Sequence, residues 1–517
     1  MKITIFILMI LLCFKPAKSQ VTFQKTFETN NDLKGRAIQQ TTDGGYIIAG
    51  EYGIFDSKIY VSKVDSIGNL QWAKTYGGNN SYASVSSIKQ TFDGGYIVSG
   101  QITNTFPLGY ILKIDSLGNQ TFFTTLGTYA GGDMHYNVTQ ILDSGYVVSG
   151  PSNWSGSASI DDVNLIKFDS NGGMIWSKNI FGNSNDEVNY ALQTSEGGFI
   201  FIGSTGSYGE GGNDILVLKT DTSGNISWCK TYGTASDEYG YSIQPTTDGG
   251  YIVAGGDLLS SCYILKIDNS GSVLWGNSYS NVEGNKMTIR ETFDGNYIIG
   301  GGTGSSGSDV YLLKIDSFGN VIWKNNYGYT GGQNFDYGYG IELTNDGGFI
   351  IIGMSDTTSG NGSDKTYLIK TDSSGITGCF ENSGSSTSNP ISFISNTINP
   401  TITSGISVNS FATSDSIISP IINTLCSSTG INTTMPDNSF TVFPNPSVGV
   451  FNIAFEIKIM HGTVEIYNVF GKCIFELNIN NESQKEIKFN PSSKGIYFVK
   501  ITTGTKYYMQ KLIIDGH

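Results

Sequence analysis

Along residues 21–380 the apolar positions fall in short, near-continuous runs, such as Gly-Tyr-Ile-Val-Ser-Gly at 95–100 and Tyr-Ile-Leu-Lys-Ile-Asp at 110–115. A strand with one wet face alternates apolar and polar residues. Runs like these suit strands covered on both faces. Between them lie Asp-Gly-Gly turns and Asp-Ser-x-Gly-Asn loops, where glycine supplies the positive φ that tight hairpins need.

The pattern repeats. The turn acid recurs at Asp43, Asp93, Asp143, Glu196, Asp248, Asp294 and Asp346, in steps of 50, 50, 53, 52, 46 and 52 residues. A second aspartate keeps the same beat at Asp65, Asp115, Asp169, Asp221, Asp268, Asp316 and Asp372, each with a lysine two residues before it. Seven residues after it stand Trp72, Phe122, Trp176, Trp228, Trp275 and Trp323, and in the last unit Cys379. Each unit parses as four antiparallel strands, A to D, with a turn A–B, a variable loop B–C, a tight loop C–D and a variable loop D–A. A period of about 50 residues with four strands fits a propeller blade. The last unit lacks an aromatic strand D. Residues 21–27 read as one, with Phe23 at the tryptophan position. The expected fold is all-β: a seven-bladed β-propeller over residues 20–380, closed by its N-terminal strand. The aromatic lattice is expected between blades, and each repeated lysine is expected to pair with the aspartate that follows it.

Residues 381–436 are rich in Ser, Thr, Asn and Ile, with Glu381 and Asp415 as their only charges. Some pieces alternate like short strands, and the segment reads as a linker to a third part. Residues 437–517 alternate apolar strands with glycine turns, as a small β-sandwich does. At the other end, Lys2, an apolar run from Ile3 to Phe14 and Ala17-Lys18-Ser19 fit a signal peptide over residues 1–19, cleaved before Gln20. The apolar run is too short for a permanent membrane span, and no stable membrane insertion is expected. Five cysteines follow it, with no C-x-x-C pair. Cys379 and Cys426 flank the linker, and a disulfide between them would add about 3–4 kcal/mol; two independent thiols is the competing reading.

Two resemblances follow from these residues. The unit typified by residues 211–255 resembles the bacterial seven-bladed propeller repeat of the SBBP type, which implies the fold and little about activity. The C-terminal segment resembles the type A sorting domain of the type IX secretion system. The matching residues are Pro444, Asn445, Pro446 and Gly449, then Gly471 and Lys472, then Gly495, Tyr497 and Lys500, and finally Lys511. That resemblance implies the type IX secretion machinery as a partner, passage through the outer membrane of a Gram-negative cell, removal of the domain, and surface attachment or release.

The net charge of −14 and the lack of a basic stretch argue against nucleic acid and anionic membrane. Residues repeated seven times serve the ring, so no catalytic residue is assigned. The C–D loops supply too few carboxylates for calcium, and neither a metal nor a cofactor is expected. Gly302–Gly307 matches G-x-G-x-x-G but lies between strands, where it cannot open a helix onto a pyrophosphate. Asp186-Glu187 and Asp237-Glu238 read as loop caps, and His135 as a surface-loop residue. Chain direction puts the tight turns on one rim and the variable loops on the other, where recognition usually sits. The aromatic residues of those loops, Trp154, Tyr208, Phe106 and Phe55, are the candidate binding residues for a glycan or a surface protein. A secreted hydrolase or lyase acting on polysaccharide is the alternative.

Overall fold

The computed structural model describes residues 20–514 apart from 55, 78–80, 104–106, 127–135, 153–161, 258–260, 283–286, 303–309, 329–335, 356–363, 379–380, 405–407, 411–413, 430–439, 444–446, 448, 469–472, 490–494 and 504–505. The chain is all-β, built of repeated sheets in the manner of a propeller-like protein, and divides into two compact units, one holding residues 21–428 and the other the C-terminal segment.

In the larger unit each repeat makes one antiparallel sheet in the order A-B-C-D. The first consists of Leu33–Gln40, Tyr46–Tyr52, Lys58–Val64 and Leu70–Gly77. Five more follow over residues 82–126, 137–181, 186–233, 239–279 and 288–327. The seventh takes A, B and C from residues 336–371, and its fourth strand is Val21–Glu28, which pairs with Lys365–Thr371. Seven separate apolar clusters lie between the sheets. Each joins two neighbours, and one joins the seventh to the first through Phe23, Leu368, Ile38 and Tyr46. The sheets therefore contact one another in cyclic order. This double covering is the physical reason for the unbroken apolar runs of strands B and C.

The repeated residues build these interfaces. Trp72 packs under the C–D loop of the next repeat, where a Cβ on Gly118 would stand 3.0 Å from the indole. Gly118 has φ 78°, so glycine is required there both by backbone conformation and by space. Phe23 fills the same place under Gly68 of the first repeat. Tyr76, Tyr232, Tyr279 and Tyr327 add a hydroxyl bond to the glycine carbonyl of the neighbouring loop, at 2.6–2.8 Å.

The repeated lysines pair with a different acid from the one expected. Asp65 is occupied by the N–H groups of Ile67 and Asn69 in its own loop. Lys63 sits opposite Ile47 on strand B, so its side chain runs to the A–B turn and meets Asp43 at 2.9 Å. All seven repeats make this pair: Lys113–Asp93, Lys167–Asp143, Lys219–Glu196, Lys266–Asp248, Lys314–Asp294 and Lys370–Asp346 are the others. Burial raises the Asp43 carboxyl, but bonds from Thr41, Lys63 and the Gly45 N–H outweigh it and hold the group at about 2.

Residues 381–429, set apart in the sequence as a linker, add a fifth strand to every one of these sheets. Glu381–Gly384 pairs with strand D of repeat six, Ser388–Pro390 with five, Ile394–Thr397 with four, and Thr401–Ser404 with three. Val408–Ser410 and Ser414–Ile417 pair with repeats two and one, and Ile421–Thr429 lies beside Val21–Glu28 in the seventh sheet. The segment runs around the outside of the sheets as a belt, in the reverse of their order. Ile391, Ile398, Ile418 and Leu425 anchor it by packing against the clusters between sheets. It covers backbone groups on strand D that would otherwise form seven open edges.

In the smaller unit, Phe440–Phe443, Val450–Asn468, Cys473–Lys488, Gly495–Thr503 and Lys506–Ile514 form one five-stranded arrangement. The long strand Val450–Asn468 shifts register between Ala454 and Ile459 and pairs with three others. Its core holds Phe451, Ile453, Val464, Ile466, Val499 and Leu512.

Candidate functional site

Strand A lines the inside of the cycle, and its charged and aromatic residues there differ from repeat to repeat. In five of the seven, strand A carries a β-bulge against strand B, at Arg36, Ser86, Asn189, Tyr241 and Tyr339. A bulge re-aims one side chain out of the ladder. All five of these residues line a single cavity of about 590 Å³, to which strand A of every repeat contributes. That volume lies within the range of small-molecule sites.

Of the six charged residues that line the cavity, five form one pair and one trio. Arg36 makes a bidentate pair with Glu51, Nε to Oε1 at 3.1 Å and Nη2 to Oε2 at 3.0 Å, and lies over the Tyr339 ring at 4.3 Å. Arg290 binds Glu342 through Nε and Nη2 at 3.3 and 3.0 Å, and Lys89 reaches the same carboxylate at 3.2 Å. Burial raises the Glu342 carboxyl, but the charges of Arg290 and Lys89 prevail and hold it at about 2. Burial lowers Lys89 and Arg290, and Glu342 more than restores both. The third carboxylate, Glu187, accepts a hydroxyl bond from Ser204 at 2.7 Å. It lies near Tyr239 and Tyr241, whose phenols are raised first by burial and also by neighbouring carboxylates, Glu187 among them. Asn137 Oδ1 and Ser86 Oγ, also on the lining, are buried without a hydrogen-bond partner.

Chain direction orients the cavity. Strand A runs from the variable D–A loop to the tight A–B turn. Tyr82, Glu187 and Tyr239 come early in their strands and lie toward the variable-loop rim; Tyr82 is exposed. Lys89, Arg290 and Glu342 come two residues before Thr91, Thr292 and Thr344, which open the A–B turns. Repeats two, six and seven thus meet across one end of the cavity and form its floor.

Sequence reasoning looked to the loops and passed over these strand positions. One signal was present. The chain has only two arginines, Arg36 and Arg290, and both face this cavity. Of the loop aromatics, Trp154, Phe106 and Phe55 lie outside the described residues, as does His135. Tyr208 is half-buried in a small crevice with Leu216, Cys229, Ile398 and Pro400, the last two from the belt, and burial raises its phenol. It does not join the cavity. On the loop rim, Asp237 accepts the Asn213 N–H at 2.7 Å, Glu238 the Thr234 N–H at 2.9 Å, and Asp186 the Ser207 hydroxyl at 2.9 Å. These carboxylates cap loops. Buried beside them, Asp214 is raised to about 6, mainly by desolvation and then by Glu238, Glu210 and Asp237. Cys426 is disulfide-bonded, while Cys229, Cys262 and Cys473 are free. Cys379 lies outside the described residues.

In the smaller unit, a Cβ on Gly449 would stand 2.7 Å from the Phe489 carbonyl oxygen. Tyr497 is buried edge-on against Phe489, and Lys500 pairs with Glu465 at 2.7 Å. Lys511 stands opposite Phe498 in the last strand pair. Pro444, Asn445, Pro446, Gly471 and Lys472 lie outside the described residues. Residues 441–515 match the family model described as the secretion system C-terminal sorting domain. The C-terminal segment is a type IX sorting domain. A chain carrying this sorting domain is a client of the type IX secretion machinery and is delivered to the surface or exterior of a Gram-negative cell. No curated protein matches the chain. Among solved structures it is similar to a protein of unknown function from Dyadobacter fermentans, at 10% identity and TM-score 0.41, covering 57% of this chain and 96% of that one. It is also similar to Sqt1 from Chaetomium thermophilum (13%, TM-score 0.38, 68% and 87%) and to NanB sialidase from Streptococcus pneumoniae (12%, TM-score 0.39, 67% and 70%). Likenesses this distant carry no argument about activity.

Proposed function

We propose that this is an exported, non-catalytic binding protein: a seven-bladed β-propeller closed by residues 21–28, carried outward by a small C-terminal β-sandwich after loss of a signal peptide at 1–19. Its ligand, a glycan or a surface protein, enters from the variable-loop rim. The observation that carries the reading is the convergence of unrepeated polar and aromatic side chains from all seven strands A on one cavity. A scaffold that repeats its structural residues seven times gains nothing structural from varying these. The tyrosines offer flat apolar faces with hydroxyls at their edges, which suits sugar rings and protein side chains alike. Two of the three cavity carboxylates, Glu51 and Glu342, are each paired with an arginine, which leaves Glu187 without a second unpaired carboxylate of the kind that glycoside cleavage uses. Trp154, Phe106, Phe55 and Tyr208 would add contacts at the rim, and a Cys379–Cys426 bridge would fasten the belt.

Binding of the purified chain to a glycan array tests this. Retention of a glycan that falls at least tenfold on Tyr241→Ala supports it. Turnover of a polysaccharide panel, abolished by Glu187→Gln, would replace it with the hydrolase or lyase reading.

A further inference from the structure

We propose that the floor of the cavity binds the carboxylate end of an acidic saccharide, a uronate-terminated chain inserted end-on from the variable-loop rim. The inference rests on the glycan-binding reading and names the ligand class.

The floor consists of two cations and one anion. Lys89 and Arg290 share the single carboxylate of Glu342, and all three are largely buried. The trio therefore holds one positive charge in excess. An uncompensated charge in a desolvated site is costly, and it is relieved by an anion placed against it. Among the described residues, nothing else in the cavity supplies that anion. Glu51 is taken by Arg36 in a bidentate pair. Glu187 belongs to the opposite end and acts on the phenols of Tyr239 and Tyr241. Lys89 has three N–H donors, and Glu342 takes one of them. Arg290 spends Nε and Nη2 on Glu342 and Nη1 on the Ile289 carbonyl, so the remaining Lys89 donors make the contact with the incoming carboxylate and the guanidinium adds its charge.

The rest of the cavity fits a saccharide behind that carboxylate. Tyr190 stands beside Arg290, with its ring 5.9 Å from the guanidinium, and Tyr339 flanks Arg36. Tyr241 and Tyr239 continue the phenol surface toward the rim. From Tyr82 to Lys89 strand A covers about 20 Å, long enough for more than one sugar ring.

Calorimetric titration of the full chain with trigalacturonic acid, with its methyl ester and with a sulfated galactotriose tests the assignment without any variant. The acid is expected to bind at least tenfold more tightly than either of the others. Lys89→Gln should weaken the acid about tenfold and leave the ester unchanged; circular dichroism establishes that the variant is folded. Equal affinity for acid and ester would overturn the assignment and leave the binding function standing. Tighter binding of the sulfated sugar would move the floor's preference from carboxylate to sulfate. Absence of binding by all three overturns the assignment, and silence on the glycan array as well would remove the glycan reading with it.

Discussion

Each sheet of the larger unit has two edges, and they are built on opposite principles. The inner edge, strand A, repeats one buried apolar place, as at Ile38, Ile88, Ile243, Ile289 and Ile341, but its charged and aromatic residues differ from repeat to repeat and meet across a cavity. The outer edge is a borrowed strand from a single near-uncharged segment, which makes the same kind of backbone pairing seven times with three to nine residues each. Between them, strands B, C and D hold the repeated tyrosines, tryptophans and Lys–Asp pairs. Structural duty is uniform and can be repeated. Recognition is individual and cannot. The inner edge is where this scaffold can vary without disturbing its interfaces.

The predictions test this division. The largest effect belongs to the repeated interior. Tyr327 is fully buried between the sixth and seventh sheets, and Tyr327→Ala should cost about 3–5 kcal/mol. Urea unfolding measures it. A cost under 1 kcal/mol would mean the interfaces do not carry the fold. The outer edge comes next. If Cys426 closes the belt onto the end of the last repeat, Cys426→Ser should lower stability by about 3–4 kcal/mol under oxidising conditions, and should open the belt to proteolysis first. Equal protease resistance in oxidised and reduced protein would show that backbone pairing alone holds the belt. At the inner edge, Glu342→Gln leaves two buried cations without a counter-charge and should cost about 3 kcal/mol, whereas Tyr82→Ala, at an exposed residue of the lining, should alter ligand affinity with little change in the unfolding midpoint.

The smallest effects are electrostatic and opposite in sign on the two rims. Asp43, Asp93 and Asp248 are each held at about 2 by a lysine and a turn threonine. A depressed carboxyl stabilises the fold above its unfolded value of about 4, and that stability is lost as pH falls from about 4 to 2. Asp214 on the loop rim is raised to about 6, so its ionisation costs stability as pH rises from about 4 to 6. Asp214→Asn should therefore raise stability at pH 7 by about 1–2 kcal/mol and make no difference near pH 4. Thermal melts of the two proteins across pH 3–8 would show this, and parallel curves would refute it.

How much of this was legible depends on how far each feature reaches. The tight turns, the aromatic positions and the N-terminal strand could be read because each obeys local chemistry. A glycine above a neighbour's aromatic ring leaves a matching pattern in every repeat, with tryptophan in five, Phe122 in the second and Phe23 in the tryptophan place of the seventh. The sorting domain was legible for the same reason, through Gly449, Tyr497 and Lys500 at their spacing. The lysine partner was misread because strand pairing, not sequence proximity, decides which acid a side chain on strand C can reach. The belt was legible only as short alternating pieces. Its partners lie far away in the chain, and nothing in Ser388–Pro390 alone says that it pairs with Val273–Tyr279.

From its letters alone, the chain determined a repeated, doubly covered β unit, because burial on two faces and tight turns restrict composition at every copy. It also determined export, because the sorting domain carries its own local pattern. Only the tertiary structure decided that the supposed linker is a belt, and that Lys89, Arg290 and Glu342, drawn from repeats two, six and seven, share one site. Those residues meet because the sheets contact one another in a cycle, and a cycle brings together positions that no local rule connects.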